Sequence, residues 1–134
     1  MTADQSLALQ KAVIARLRGD AALTSLLGGA HVHDQVPRAV PPPYVALARF
    51  ESRDLGSSGA EGAEHRFTLH VWPREQGRAE AHAIAVAIEA ALVAPLALDG
   101  AMLVNLAMTG WETTRLDKEH YRGSLTFRAV TEAS

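Results

Sequence analysis

Two histidines separated by one residue are the first side chains whose types and spacing could bind a metal. In the segment from His31 to Asp34, an extended backbone would place the imidazoles of His31 and His33 on the same side, near one carboxylate. A zinc site needs three or four converging ligands, and the segment supplies only these three side chains. A surface turn with polar side chains explains the same pattern, so we predict no bound metal and no cofactor.

The polar stretch 51–64 holds the other candidates for chemistry. Ser57 and Ser58 lie in it, but the chain has no G-x-S-x-G sequence, and a glycine-rich loop supports a nucleophile poorly. The glycines lack the lysine and the following helix of a phosphate-binding loop. Glu61 and Glu64 would be solvated there, which gives their pKa values no reason to shift. We therefore predict that the chain is not an enzyme.

The bulk composition is that of a globular protein. The chain has 134 residues, of which 48% are hydrophobic and 21% charged, so we expect one domain over residues 1–134. The net charge of -2 argues against tight binding of a nucleic-acid backbone, and the lack of cysteine excludes disulfides and thiolate metal sites. We see no targeting signal and no apolar run of roughly 20 residues that would span a bilayer. We expect a soluble protein that is made inside the cell and has no membrane partner.

The N-terminal part reads as two helices followed by an extended connector. Helical periodicity predicts a helix over residues 3–18 and a shorter one over Ala21–Leu27. Thr2 and Gln5 have the spacing of a capping box at the first helix. The connector, residues 30–43, contains four prolines, which exclude a helix or a central strand.

The rest of the chain alternates between strand and helix patterns. One long helix is predicted over Arg78–Val93 from its apolar stripe. Four strands are predicted: Tyr44–Phe50, His65–Trp72, about Met102–Thr109, with a continuation past Gly110 left open, and Tyr121–Val130. Apolar and polar residues alternate in the second and the fourth of them. The order α-α-β-β-α-β-β favours an α+β fold, an antiparallel sheet of about four strands with helices packed on one face.

The first predicted strand and the stretch that follows it carry two further expectations. The alternation places Tyr44, Ala46, Ala48 and Phe50 on one face of the strand. The stretch 51–64 would then be a long, flexible hairpin loop of 14 residues. Loops of that length tend to be binding segments or disordered, so we predict that it contacts a neighbouring protein.

In the order of these segments, the chain resembles the phage tail-completion proteins, the family that includes tail terminators and tail-to-head joining proteins of long-tailed phages, prophages and gene transfer agents. The connector and first strand are similar to the family pattern at Asp34, Pro37, Pro43, Tyr44 and Val45. The second strand, turn and long helix are similar at Trp72, Gly77, Glu80, Ala81, Ile84, Ala85 and Ile88. The last strand is similar at Tyr121, Gly123, Leu125 and Phe127. The likeness covers roughly residues 5–131 and rests on the order of weak motifs.

The resemblance implies a structural virion protein without catalytic residues. It implies a homo-oligomer, a hexameric ring that ends tail-tube growth and joins the tube to the neck. The partners would be the tail tube protein and the head-tail connector proteins, while DNA passes through the ring without specific binding. The subunit would be made in the bacterial cytoplasm and would reside at the tail-neck junction of the mature virion.

A closed ring needs two different surfaces on each subunit, and the exposed strand edges, the polar sheet face and the connector 31–43 are candidates, while the 51–64 stretch would contact the last tail-tube ring or the neck. We predict contacts to neighbouring proteins at nine residues: Arg53, Asp54, Leu55, Glu61, Glu64, Arg66, His70, Arg122 and Arg128. A plain solvated sheet face explains the strand residues equally well. Two other roles remain open: a head-closure or connector ring subunit of the same neck, and a small α+β domain that binds a ligand.

Overall fold

Three helices and five strands follow one another in the computed structural model, which describes residues 2–56, 61–74 and 77–133. The helices are α1 (Thr2–Arg18), α2 (Ala21–Leu27) and α3 (Arg78–Val93). The strands are β1 (Val32–His33), β2 (Tyr44–Asp54), β3 (Gly62–Trp72), β4 (Ala101–Arg115) and β5 (Tyr121–Ala133). The α+β class is confirmed, and the main apolar core lies between the helices and the sheet. In the described residues, no helix has the length and apolar character needed to span a membrane.

The sheet has five strands in the order β1-β2-β3-β5-β4 and is mixed. β1 runs parallel to β2, with Val32 opposite Val45, while the other pairs are antiparallel. The prediction of about four antiparallel strands was therefore wrong in number and in direction. The additional strand is short because the prolines of the connector follow it, and a proline lacks the amide hydrogen that a strand pairing needs. The backbone amide of Val45 also donates to the carbonyl of His31 at 2.9 Å.

The hairpin of β2 and β3 extends far into the stretch 51–64, so the prediction of a 14-residue loop was wrong. The residues from Glu51 to Asp54 pair with those from Ala63 to Arg66, with Arg53 opposite Glu64. Polar residues can continue a strand when they lie on an exposed face or find partners there, and these do both. Residues 57–60, including Ser57 and Ser58, lie outside the described residues.

A one-residue slip in β2 corrects the predicted faces of this strand. Ala48 has no partner in β3, because Leu47 pairs with Leu69 and Arg49 pairs with Thr68. Each bulge of this kind shifts all later side chains to the opposite face. Phe50 therefore joins the core side, where its ring stacks on Phe67 at 5.3 Å between centroids. The predicted common face of Ala46 and Phe50 does not exist.

β4 forms one edge of the sheet and pairs only with β5 in the described residues. Its register slips at two points, between Leu103 and Asn105 and between Met108 and Gly110. Trp111 of β4 packs against the edge of the core. The predicted alternation of β5 is confirmed, since Leu125, Phe127 and Ala129 are buried.

The helices pack on the sheet through apolar stripes, and an arginine joins α1 to α3. Ala81, Ile84 and Ile88 of α3 are buried, and a small residue at position 81 lets the helix approach the strands closely. Arg16 of α1 donates to the carbonyl of Ala91 at 2.9 Å and so binds the C-terminal end of α3, where positive charge is favourable.

The capping box predicted at Thr2 and Gln5 is not present. Thr2 is already the first helical residue, and the side chain of Gln5 is buried against the sheet. The Gln5 amide donates to the carbonyl of Glu61 at 3.1 Å. The Gln5 side chain therefore makes a tertiary contact instead of the hydrogen bond of a capping box.

Candidate assembly surface

The sheet face that points away from the helices carries most of the residues that we predicted to make contacts. Strand register places six of them on this outer face: Arg53 from β2, Glu64, Arg66 and His70 from β3, and Arg122 and Arg128 from β5. Four of the six form one group near the β2-β3 turn, which we call the arginine cluster: Arg53, Glu64, Arg66 and Arg128.

Glu64 lies at the centre of the arginine cluster. Its Oε1 is 2.9 Å from Nε of Arg53 and 3.6 Å from Nε of Arg66, and its Oε2 is 2.6 Å from Nε of Arg128. Arg66 and Arg128 stand directly opposite each other on paired strands, a like-charge arrangement that would repel without an acid between them. The carboxylate therefore holds three guanidinium groups together on the sheet.

The electrostatics of Glu64 differ from the solvated carboxylate that we predicted. Only 5% of its surface is exposed, because the arginine side chains cover it. The hydrogen bond from Arg128 holds the pKa of the Glu64 carboxyl below its ordinary value, and the bond from Arg53 acts in the same direction against the effect of burial. The expectation of an unshifted pKa was wrong, because the stretch that holds Glu64 is strand and not loop.

The arginine cluster carries a surplus of positive charge beside an open groove. Three guanidinium groups meet one buried carboxylate, so two positive charges of the group remain uncompensated within it. The groove has a volume of about 410 Å³ and is lined by Glu51, Ser52, Arg53, Glu64 and Arg66. Guanidinium groups of this kind can donate to the carboxylates of an adjoining protein.

Arg122 and His70 lie at the opposite end of the outer face, around Trp72. The guanidinium of Arg122 sits 6.0 Å from the centre of the Trp72 ring, and the His70 ring meets the same indole edge-on at 6.3 Å. Tyr44 stacks on Trp72 at 6.1 Å. Burial lowers the pKa of His70, and the nearby charge of Arg122 lowers it further. The six predicted contact residues of the outer face therefore form two groups and not one patch.

Asp54, Leu55 and Glu61 lie at the β2-β3 turn, apart from the arginine cluster's salt bridges. The Leu55 amide donates to the carbonyl of Gly62 at 2.9 Å, and Asp54 accepts from the Gly56 amide at 2.7 Å. Leu55 exposes 40% of its surface. An exposed leucine beside acidic groups is a surface that a neighbouring protein can cover.

A buried chain of hydrogen bonds behind this turn was not found from the sequence. Ser52 is 2.6 Å from Nδ1 of His65, whose Nε2 is 2.8 Å from the hydroxyl of Thr131. That hydroxyl donates to Oε1 of Gln5 at 2.6 Å. Thr131 must then accept from His65, so Nε2 carries the proton and Ser52 donates to Nδ1. The strand alternation was the available signal, because it places position 65 on the core side with Phe67.

This chain of hydrogen bonds is suited to holding α1 on the sheet. A serine beside a histidine can be a nucleophile and its base, but here the third member is a hydroxyl and not a carboxylate. His65 is also fully buried, so its imidazole offers no surface to a substrate. Burial lowers the pKa of His65, while Glu64 opposes this effect, and the ring is neutral.

The histidine pair of the connector does not come together with a third ligand. His33 lies edge-on to Tyr44 at 6.0 Å, and its Nε2 is buried without a hydrogen-bond partner. Burial lowers the pKa of His33, and Arg18 and His31 add to this effect. Among residues 2–56, 61–74 and 77–133, no group of three or more histidine, aspartate or glutamate side chains could hold a metal ion.

The chain is similar to known tail and virion proteins over nearly its whole length. The family model of the tail completion protein gp17 matches residues 11–132. A chain in the virion of a native gene transfer agent particle is 37% identical, with a TM-score of 0.85, over 94% of this chain and 96% of that one. The gp17 protein of bacteriophage SPP1 is 26% identical, with a TM-score of 0.63, over 93% of this chain and 89% of that one.

None of the curated proteins matches the chain. The family match covers far more than half of the sequence, and the relative from the gene transfer agent shares the complete fold. The chain therefore belongs to the family of the tail completion protein gp17, a family of structural phage tail proteins.

Proposed function

We propose that the chain is a tail terminator: identical subunits, six in number, form a ring that caps the tail tube and joins it to the neck. The observation that carries this proposal is the 37% identity to a chain of an assembled virion, over 94% of this chain and 96% of that one. The ring is assembled in the bacterial cytoplasm and remains in the particle.

The outer sheet face and the β2-β3 turn supply contacts to the adjoining rings in this proposal. The arginine cluster presents two uncompensated positive charges, which suit an acidic surface on the tail tube protein or a neck protein. Leu55 and Asp54 at the turn add an apolar and an acidic contact. Long-range attraction orients the approach, and the leucine adds apolar contact area once the rings meet.

Passage of DNA through the ring needs a pore surface without a strong positive charge. In this proposal an adjoining ring covers the arginine cluster, so its two uncompensated charges do not line the pore. The whole chain has a net charge of -2. A pore of such subunits releases few counterions from a DNA backbone and so leaves the DNA free to move.

Electron microscopy of particles made without the chain tests this function. We expect tails of uncontrolled length that are not attached to heads, because nothing ends the tube or binds the neck. Normal tails beside heads that lose their DNA would instead indicate a head-closure role and would overturn the proposal. Correctly finished particles would overturn it as well.

Leu55→Ser tests the contact at the β2-β3 turn separately. We expect a folded subunit, because the Leu55 side chain is exposed, but tails that do not join to heads. A matched control is Leu116→Ser, which alters another exposed leucine in the turn between β4 and β5. Normal particles from Leu55→Ser would refute the assignment of this turn and leave the role of the ring untouched.

A further inference from the structure

An apolar groove runs along the exposed side of α1, away from the sheet face described above. It has a volume of about 300 Å³, and its lining includes Leu7, Lys11, Ile14 and Asp34. Leu7 exposes 51% of its surface. Because Asp34 directly follows β1, an outer strand of the sheet, this groove lies on the β1 flank of the domain.

A second apolar surface lies on the opposite flank, along α3 and β4. Val86 and Val93 are seven positions apart on α3, so they share one helix face, and they expose 60% and 79% of their surface. A hollow of about 80 Å³ beside Val86 is lined by residues that include Met108 and Trp111 of β4. Since β4 is the other outer strand, the two apolar surfaces face away from each other.

The charges beside the two surfaces are opposite. In the groove of α1 the two cations Lys11 and Arg18 outnumber Asp34, while Glu89 lies beside Val86 on α3. Lys11 and Glu89 are exposed residues, and neither forms an ion pair within the described part of the chain. Glu89 is three positions after Val86, and Lys11 is four positions after Leu7, so each charge adjoins an exposed apolar side chain on its own helix.

We propose that these two surfaces are the contact between neighbouring copies of this chain. Val86 and Val93 of one copy enter the α1 groove of the next, and Glu89 of the first pairs with Lys11 of the second. This inference rests on the proposed function, because a ring of identical subunits needs two different surfaces that meet head to tail. A groove on one flank and two exposed valines on the other meet that need, and the ion pair sets the register.

Engineered disulfides give a direct test, because the chain has no cysteine of its own. Under mild oxidation of the full chain, we expect Lys11→Cys alone and Glu89→Cys alone to remain uncrosslinked. An equal mixture of the two should give dimers, and the double variant should give a ladder of crosslinked multimers up to the closed ring. The control pair Lys11→Cys with Leu116→Cys places the second thiol at another exposed position and should give no such ladder.

Charge reversal tests the same contact without a covalent bond. Lys11→Glu or Glu89→Lys should weaken self-association about tenfold in sedimentation velocity, since an exposed attraction becomes a repulsion. The double reversal should restore association to within about twofold of the unaltered chain. Val86→Glu should abolish association, whereas Leu116→Glu should leave it unchanged. Circular dichroism of each variant establishes that it is folded.

The outcomes separate this inference from the proposed function. The inference is wrong if the unaltered chain forms multimers, but the cysteine pair at positions 11 and 89 gives no ladder and the double charge reversal does not restore association. The proposed ring function would then still stand. A chain that stays monomeric at millimolar concentration and gives no ladder also refutes the inference. The function itself is judged by the particles made without the chain.

Discussion

Arg128 donates a hydrogen bond of 2.6 Å to Glu64, although the two residues are 64 positions apart in the chain. The bond joins β3 to β5 on the outer sheet face and places an acid between two arginines that stand opposite each other. The three arginines keep their place because of this one carboxylate. The stability of the sheet and the charge of the proposed contact surface therefore depend on the same side chain.

Replacement of Glu64 by glutamine should lower the stability of the folded chain. Three guanidinium groups would lose their common counter-charge, and Arg66 and Arg128 would repel each other. We expect a clear fall in the midpoint of urea unfolding, measured by circular dichroism. Glu51→Gln is the matched control, because its partner Arg49 is exposed and such surface pairs contribute about 0–1 kcal/mol.

The effect of Glu64→Gln should also depend on pH. The folded pKa of Glu64 lies below its ordinary value of 4.5, so the ionised form stabilises the fold at higher pH. This contribution is complete above about pH 4.5 and is lost as the pH falls through the lowered folded pKa. The difference in stability between the two proteins should thus shrink in acid. An equal difference at all pH values would contradict this account of the arginine cluster.

The buried chain of hydrogen bonds predicts a second stability effect, at Thr131. In Thr131→Val, the N–H at Nε2 of His65 loses its acceptor and Oε1 of Gln5 loses its donor. A buried polar group left without a partner costs about 1–3 kcal/mol, and the loss should appear in chemical unfolding. Thr126→Val on the outer face is the control. Equal effects of the two changes would show that the buried chain adds nothing.

His65, the histidine in the buried chain of hydrogen bonds, predicts a pH dependence of the stability. Burial lowers the folded pKa of His65 below its ordinary value of 6.5, so the unfolded chain binds a proton more readily than the folded one. Stability from this group is complete above pH 6.5 and declines as the pH falls from there towards the folded pKa. His65→Gln should therefore flatten the pH dependence of stability in that range, and an unchanged pH dependence would contradict this assignment.

Gly123 predicts a steric effect at the edge of the core. A Cβ atom at this position would lie 2.5 Å from the Trp111 ring and 3.4 Å from the Cβ of Val71. Gly123→Ala should therefore displace the indole, cost about 1–3 kcal/mol and shift the tryptophan fluorescence. Trp111→Phe should recover part of this loss in the double variant, since the smaller ring leaves space. Gly62→Ala is the control, because its new Cβ would meet only ordinary contacts.

Local patterns in the sequence were sufficient for the types of seven of the eight described elements, all except β1, and for the faces of β3 and β5. The alternation around Phe67 and Leu69 was correct because side chains of a regular strand change face at each residue. The α+β class followed from the order of helices and strands, and the family from the order of weak motifs. In each case the information lies within a few neighbouring residues or in their succession.

The slip at Ala48 and the burial of Glu64 could not be predicted from such patterns. Residues 44–50 are all apolar except Arg49, so nothing in that segment marks the unpaired residue that sends Phe50 to the core. Glu64 is buried by arginines that include Arg53 and Arg128, which come from β2 and β5 and meet it only after the strands pair. The length of the β2-β3 hairpin was missed for the same reason, because its polar residues are stabilised by their partners.

Two of the three slips in register fall on β4, which pairs only with β5 in the described residues, at Val104 and Thr109. A bulged edge lacks the regular row of amides and carbonyls with which an unrelated strand would pair. The bulges therefore disfavour edge-to-edge pairing of unassembled subunits into fibrils. β4 can thus remain an outer strand of the sheet without promoting aggregation.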